Sequence, residues 1–187
     1  QEGRSPRHED KVASLDLTFS DADELYIDNA GLAILHPFLR HFFERLDLLE
    51  DKQFKDMAAR QRAVGLLQYA VSEDPSSPEY LLPLNKVLCG MELDEVFDFG
   101  PPVTETEAEE CTNLLTAAIA NASILKNMSI NGLRGTFLLR QGVLSSRDGA
   151  WLLRVERETY DVVLDRFPWS MEWVKLPWME TPLRVEW

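Results

Sequence analysis

Residues 151–174 read WLLRVERETYDVVLDRFPWSMEWV, and the period of this stretch decides the fold class. Trp151, Leu153 and Val155 alternate with Leu152, Arg154 and Glu156. Tyr160, Val162 and Leu164 alternate with Asp161, Val163 and Asp165, and Trp169, Met171 and Trp173 with Ser170, Glu172 and Val174. A period of two carried by aromatic and β-branched residues marks strands, whose side chains point to opposite faces in turn. Residues 159–167 also fit a short helix, because Tyr160, Val163, Leu164 and Phe167 fall close to a period of 3.6. Pro168, Pro177 and Pro182 limit strand length, since proline has no N–H to give to a ladder. The expectation for 150–187 is a small antiparallel β-meander, following the turn residues Asp148-Gly149.

Upstream of this stretch the period is helical. Thr104 and Glu107 form a capping box. Cys111, Leu114, Leu115, Ala118, Ile119 and Ala122 then recur at helical spacing. Ser129 caps a further helix holding Leu133, Phe137 and Leu138 and ending at Gly142. Residues 54–72 form an amphipathic helix with Phe54, Met57, Ala58, Val64, Leu67 and Val71 inward. EDPSSP (73–78) is a run of breakers. Residues 79–89 are a helix ended by Gly90, with Pro83 blurring its start. Asp28-Asn29 caps AGLAIL, the chain breaks at His36, and a helix runs from Pro37 to Leu49. Leu32, Leu35, Leu39, Phe42, Leu46 and Leu49 keep one apolar stripe across that break. The expected fold is therefore α+β, mainly α, with about five to six amphipathic helices before the meander. The expected organisation is a flexible linker over 1–20 and one globular domain over 21–187, helical across 28–142 and β-rich across 150–187.

At 187 residues, 45% apolar and 27% charged, the chain has the composition of a soluble globular domain. No apolar run reaches the roughly 18 residues of a membrane helix. The first ten residues, QEGRSPRHED, are polar and lack an initiator Met, so the chain is expected to be a piece of a longer protein. Net charge is −13. Residues 92–110 hold eight acids and no Lys or Arg. Nucleic acid and anionic membrane surfaces need a basic footprint, and this balance argues against both. The acidic run reads first as a solvated loop leading into a helix start, where the dipole favours negative charge, and second as a dock for a basic partner.

Catalytic and cofactor signals are sparse. Cys89 and Cys111 sit among leucines, as small buried hydrophobes do, and no His lies at metal-binding spacing from them. No Gly-rich phosphate loop, G-x-S-x-G elbow or H-E-x-x-H occurs. His36 reads as a cap or a buried hydrogen-bonding group. No catalytic residue, metal or cofactor is expected.

All five tryptophans lie in the last 37 residues, so their roles matter most. Trp151, Trp169 and Trp173 read as the inner face of the sheet. Trp178 and Trp187 lie on Pro-broken chain, where large aromatics make interface hot spots. The candidate partner-binding residues are Pro177, Trp178, Met179 and Trp187. An alternative pairs Trp178 and Trp187 with Glu180 and Glu186 as a carbohydrate-binding or carbohydrate-active site, with rings to stack a sugar and acids beside them.

Five segments resemble one family: YIDNAGLAILHPFL (26–39), FKDMAARQRAVGLLQYA (54–70), LNKVLCG (84–90), LKNMSINGLRGTFLLRQGVL (125–144) and WLLRVERETYDVVLDRFPWSMEWVKLPWM (151–179). The chain is similar, over roughly 24–187, to the C-terminal region of tape-measure proteins of bacterial contractile injection systems. LNK-x-LCG and PW…KLPWM are its distinctive elements. The resemblance implies a structural assembly protein that determines tube length, with partners among baseplate-hub, spike and tube components. It implies assembly in the bacterial cytoplasm and then residence in the particle. It carries over no catalytic residues. A ruler needs extended length, yet helix rises only about 1.5 Å per residue and no long heptad run occurs. This piece is therefore expected to anchor or initiate, with the ruler elsewhere.

Overall fold

A computed structural model describes residues 23–187, so the expected linker over 1–20 lies outside the described residues. The chain runs through β1 (Glu24–Ile27), a 3-10 stretch Ala30–Leu35, α1 (His36–Arg45), the short hairpin β2 (Leu49–Glu50) and β3 (Gln53–Phe54), and α2 (Met57–Ser72). Then come a 3-10 turn Glu79–Leu81, α3 (Pro83–Leu88), α4 (Glu105–Asn121), and α5 (Ile130–Leu133), which continues as a π-helical turn Arg134–Leu138. The last part holds β4 (Gly142–Arg147), β5 (Ala150–Val155), a 3-10 helix Thr159–Arg166, β6 (Trp173–Val174) and β7 (Leu183–Glu186). The class is α+β, mainly α.

The strands do not form a C-terminal meander. They build one mixed five-stranded sheet in the order β1-β4-β5-β7-β6. β4 and β5 are an antiparallel hairpin turned by Asp148-Gly149, both at positive φ (53° and 76°). This is the pair of left-handed residues that a tight hairpin of matching twist requires. β5 then pairs in parallel with β7, and β6 adds to β7 antiparallel. Two expectations give way here. Gly142 opens a strand instead of ending a helix, and residues 159–166 are helical, started by a reciprocal Glu158/Asp161 cap. A parallel partner needs a long crossover, and the helix and prolines between β5 and β7 supply it.

The register aligns Leu25, Leu144, Leu153 and Val185 in one row across four strands. Leu144, Leu153 and Val185 join the buried cluster. On β6, Val174 pairs with Leu183 and is fully buried, which turns Trp173 outward beside Arg184. The expected inward placement of Trp173 is thus shifted by one residue, and a one-residue shift exchanges faces, whereas Trp151 and Trp169 are partly buried and packed against the core.

The helices pack mainly on one another, α4 against α1 and α2, while the Ala30–Leu35 stretch and α3 touch the sheet. Pro37 lies in the first turn of α1, where its missing N–H is not needed. On α2 the buried face is Ala59, Ala63, Val64, Leu66, Leu67, Ala70 and Val71. Met57 and Ala58 point out, one step away from the expected stripe. α4 carries the Thr104/Glu107 capping box with both reciprocal bonds. Asn29 makes no cap. Its fully buried amide donates to Gln68 Oε1 (2.8 Å) and Asn85 Oδ1 (2.7 Å), tying the start of the fold to α2 and α3. Buried amides are tolerable only when paired in this way.

Candidate partner-binding region

The C-terminal segment after the 3-10 helix has little regular structure, so side-chain bonds hold it. Trp178 is 3% exposed. Its ring lies 5.2 Å from Phe54 and 5.5 Å from Phe43, both in tilted or edge contact, the arrangement aromatic quadrupoles favour. Its indole N–H donates to the Leu88 carbonyl at 2.7 Å. The same carbonyl lies at the end of α3, where no helical partner remains for it. Met179 is equally buried, and its sulfur accepts from the Leu176 N–H. Pro177, which precedes both, is exposed, and its carbonyl accepts from Gln53 Nε2 at 2.8 Å.

Trp187 sits apart from these residues. It is half-buried, its N–H donates to Asp161 Oδ2 (2.8 Å), and the Arg140 guanidinium lies 5.5 Å from its ring centre. Arg140 and Asp161 form a buried two-pronged pair at 2.8 and 2.6 Å. Burial pushes the Asp161 carboxyl up, but the bonds from Arg140, the Glu158 N–H and Trp187 outweigh it and hold the group below the usual range. This pair, invisible to sequence reading, fastens the chain before β4 to the crossover helix, and the Trp187 bond to Asp161 adds the end of the last strand. The platform imagined for a sugar does not form, because Trp178 is packed in the core while Trp187 rests on Arg140.

Trp187 and Trp169 wall a groove of about 440 Å³, with Phe167 and Met171 also lining it and Asp165, Glu172 and Arg157 among its polar groups. Trp169 is held by its N–H to the Ile34 carbonyl (2.9 Å) and by edge contacts with Phe38 and Phe167. His36 donates Nε2–H to the Ser170 carbonyl at 2.7 Å, which anchors the same loop on α1. Burial lowers the His36 pKa, and the Ser170 bond offsets this only in part, so the ring is neutral at pH 7. Trp173, 51% exposed beside Arg184 (5.8 Å), is the most open tryptophan. Sequence reading had placed it inside. The signal that finds it is the neighbouring Val174, a better strand-core residue than Trp173.

Burial also shapes the remaining chemistry. It pushes the Cys111 thiol up to about 12 and Cys89 higher still, so both stay protonated. Among the described residues no group of three or more His, Cys, Asp or Glu is placed to hold a metal ion. No helix among the described residues is long and apolar enough to cross a membrane.

The distinctive segments meet in space. LNK-x-LCG forms α3 and its end, PW…KLPWM supplies Trp178, and the Leu88–Trp178 bond joins them. The family model described as contractile injection system tape measure protein matches residues 2–187. The chain belongs to that family. No curated protein and no solved structure matches it. Membership in the tape-measure family makes the chain a component of an injection particle with a structural role. The tape-measure motifs therefore mark a folded junction, with Gly90 at its centre. Gly90 has φ +68°, and a Cβ there would lie 2.4 Å from the Trp178 carbonyl oxygen.

Proposed function

We propose that this domain is a non-catalytic assembly module. It anchors the tape-measure protein to a baseplate-hub, spike or tube component, assembling in the bacterial cytoplasm and then residing in the particle. The carrying observation is the groove walled by Trp169 and Trp187, since half-buried aromatics in a preformed groove are the usual anchors of protein interfaces. Trp187 and Pro177 reach the partner, while Trp178 and Met179 hold the segment from beneath. Asp165 and Glu172 on the groove, in a chain of net charge −13, favour a partner surface with basic residues.

The test is co-purification of the chain with each hub, spike and tube component expressed separately. One component is expected to be retained. Reversing the two exposed acids, Asp165→Lys with Glu172→Lys, should reduce that retention while the circular dichroism spectrum stays unchanged. Retention of none by the unaltered chain overturns the proposal.

A further inference from the structure

Residues 92–103 join α3 to α4 as a strap that begins with a turn, closed by the Glu95 N–H on the Glu92 carbonyl, and runs extended from Val96 with an unusual set of bonds. Leu93, Phe97 and Phe99 face inward and alternate with the exposed Glu92, Asp94, Val96 and Asp98, as in a strand. Yet the strap belongs to no sheet, and among the described residues no backbone–backbone hydrogen bond holds 96–103. Side chains of α2, α3 and the Glu79–Leu81 turn take that place.

Their order along the strap is regular. Lys86, only 3% exposed, donates Nζ to the carbonyls of Leu93 (3.2 Å) and Glu95 (2.8 Å). Glu79 Oε1 accepts the Phe97 N–H at 2.9 Å and also holds Lys86 at 2.8 Å. The Gln61 amide grips the chain from both sides, donating to the Val96 carbonyl (3.0 Å) and accepting the Asp98 N–H (2.7 Å). Arg62 donates to the carbonyls of Phe99 (3.1 Å), Pro101 and Pro102 (2.9 Å). Its guanidinium lies 3.9 Å from the centre of the Phe99 ring. That ring occupies a slot made by Gly65, where a Cβ would come within 2.2 Å of Phe99 Cδ2.

This is how a receptor groove holds an extended peptide. Backbone N–H and C=O groups are read along its length, and one slot reads a side chain. The groove's two cations are already paired, Arg62 with Glu107 and Lys86 with Glu79, so it reads the strap's backbone carbonyls rather than its charge.

We propose that the α2–α3 surface is a peptide-binding groove, occupied in cis by residues 92–103. It receives in trans an extended segment of a partner protein with an aromatic residue at the Gly65 slot. The strap is suited to such exchange. Phe97 and Phe99 are only half-buried, so lifting them exposes less apolar surface than opening the core, and such segments open locally. Gly90 and Gly100, at φ +68° and +79°, flank the Phe-bearing part. A tethered strap competes at an effective concentration on the order of millimolar, so it excludes weak ligands and yields to a matched one. This site is separate from the Trp169/Trp187 groove, and either proposal stands if the other fails.

The probe is a fluorescein-labelled peptide, ELDEVFDFGPPV, equal to residues 92–103. It is titrated into the full chain and into the Phe97→Ala/Phe99→Ala variant, whose own strap no longer fits. The variant should bind at least tenfold more tightly than the unaltered chain. Adding Arg62→Ala, or replacing the peptide's second Phe, the one equal to Phe99, by Ala, should lower that binding at least tenfold. Equal binding to both proteins, or none to the variant, overturns the proposal. If the variant loses its helical circular dichroism, hydrogen exchange on the unaltered chain decides. The Phe97 and Asp98 amides should exchange by local opening, at rates nearly independent of dilute denaturant. Exchange of those amides only with α2, through global unfolding, overturns the proposal.

Discussion

The Trp178 indole N–H donates to the Leu88 carbonyl across 90 positions of sequence, at 2.7 Å and out of contact with water. One bond thus closes the end of α3 and fixes the irregular C-terminal segment against it. Trp178→Phe keeps the aromatic packing on Phe43 and Phe54 but leaves that carbonyl unpaired. It should cost about 1–3 kcal/mol, the desolvation penalty of a buried unsatisfied group. Trp178→Ala should cost about 3–5 kcal/mol, because it also leaves a cavity. Urea unfolding measures both; equal stabilities of the Phe variant and the parent would show the bond to be inconsequential.

Gly90 and Gly100 make an internal comparison. Both have positive φ, but a Cβ at Gly100 meets nothing within 4 Å, whereas at Gly90 it meets the Trp178 carbonyl oxygen at 2.4 Å. Gly100→Ala should therefore cost about 1–2 kcal/mol, the left-handed penalty alone. Gly90→Ala should cost clearly more, since backbone must also move. Thermal unfolding of the two variants ranks them, and the reverse order would refute the account.

Breaking the Arg140–Asp161 pair should be severe. Asp161 and Arg140 have side-chain exposures of 0% and 5%. Asp161→Asn leaves a buried guanidinium without its counter-charge and should cost about 3–5 kcal/mol. It also leaves a single carboxamide oxygen for Arg140, the Glu158 N–H and the Trp187 N–H, so the Trp187 bond is weakened and the tryptophan emission of the folded protein should shift. A double-mutant cycle with Trp187→Phe measures the coupling between them.

Stability should fall on acidification in two stages. The His36 pKa is lowered in the folded chain, so below its ordinary value of 6.5 the unfolded state takes up a proton that the folded state refuses. Stability is then lost as pH falls from about 6.5, with a slope of at most about 1.4 kcal/mol per pH unit for one proton. Glu107, held low mainly by its bond from Arg62, and Asp161 add stability that is present above their ordinary values of 4.5 and 3.8. That part is lost as pH falls through their lowered folded values. Denaturant midpoints from pH 8 to 3 test this. His36→Gln should remove the first stage and leave the second; an unchanged profile would contradict the assignment.

What the sequence determined by itself was local. α4 was legible because its capping box and i, i+3, i+4 pattern concern residues within one or two turns of each other. The break before Pro37, the turn after Ser72 and the positive φ of Gly90 follow from steric rules of single residues. The tertiary structure decided what depends on partners far away in the chain. That Trp173 faces outward turned on a one-residue register between β6 and β7 that leaves composition unchanged. The parallel β5/β7 pair, the Asn29 amide shared with Gln68 and Asn85, and the burial of Asp161 against Arg140 each join segments more than 20 residues apart. The acidic run showed the same division. Its helix-start chemistry was readable from Thr104 onward. The strap before it took its shape from Gln61, Arg62, Glu79 and Lys86, because an extended chain without a sheet adopts whatever path the neighbouring donors and acceptors offer.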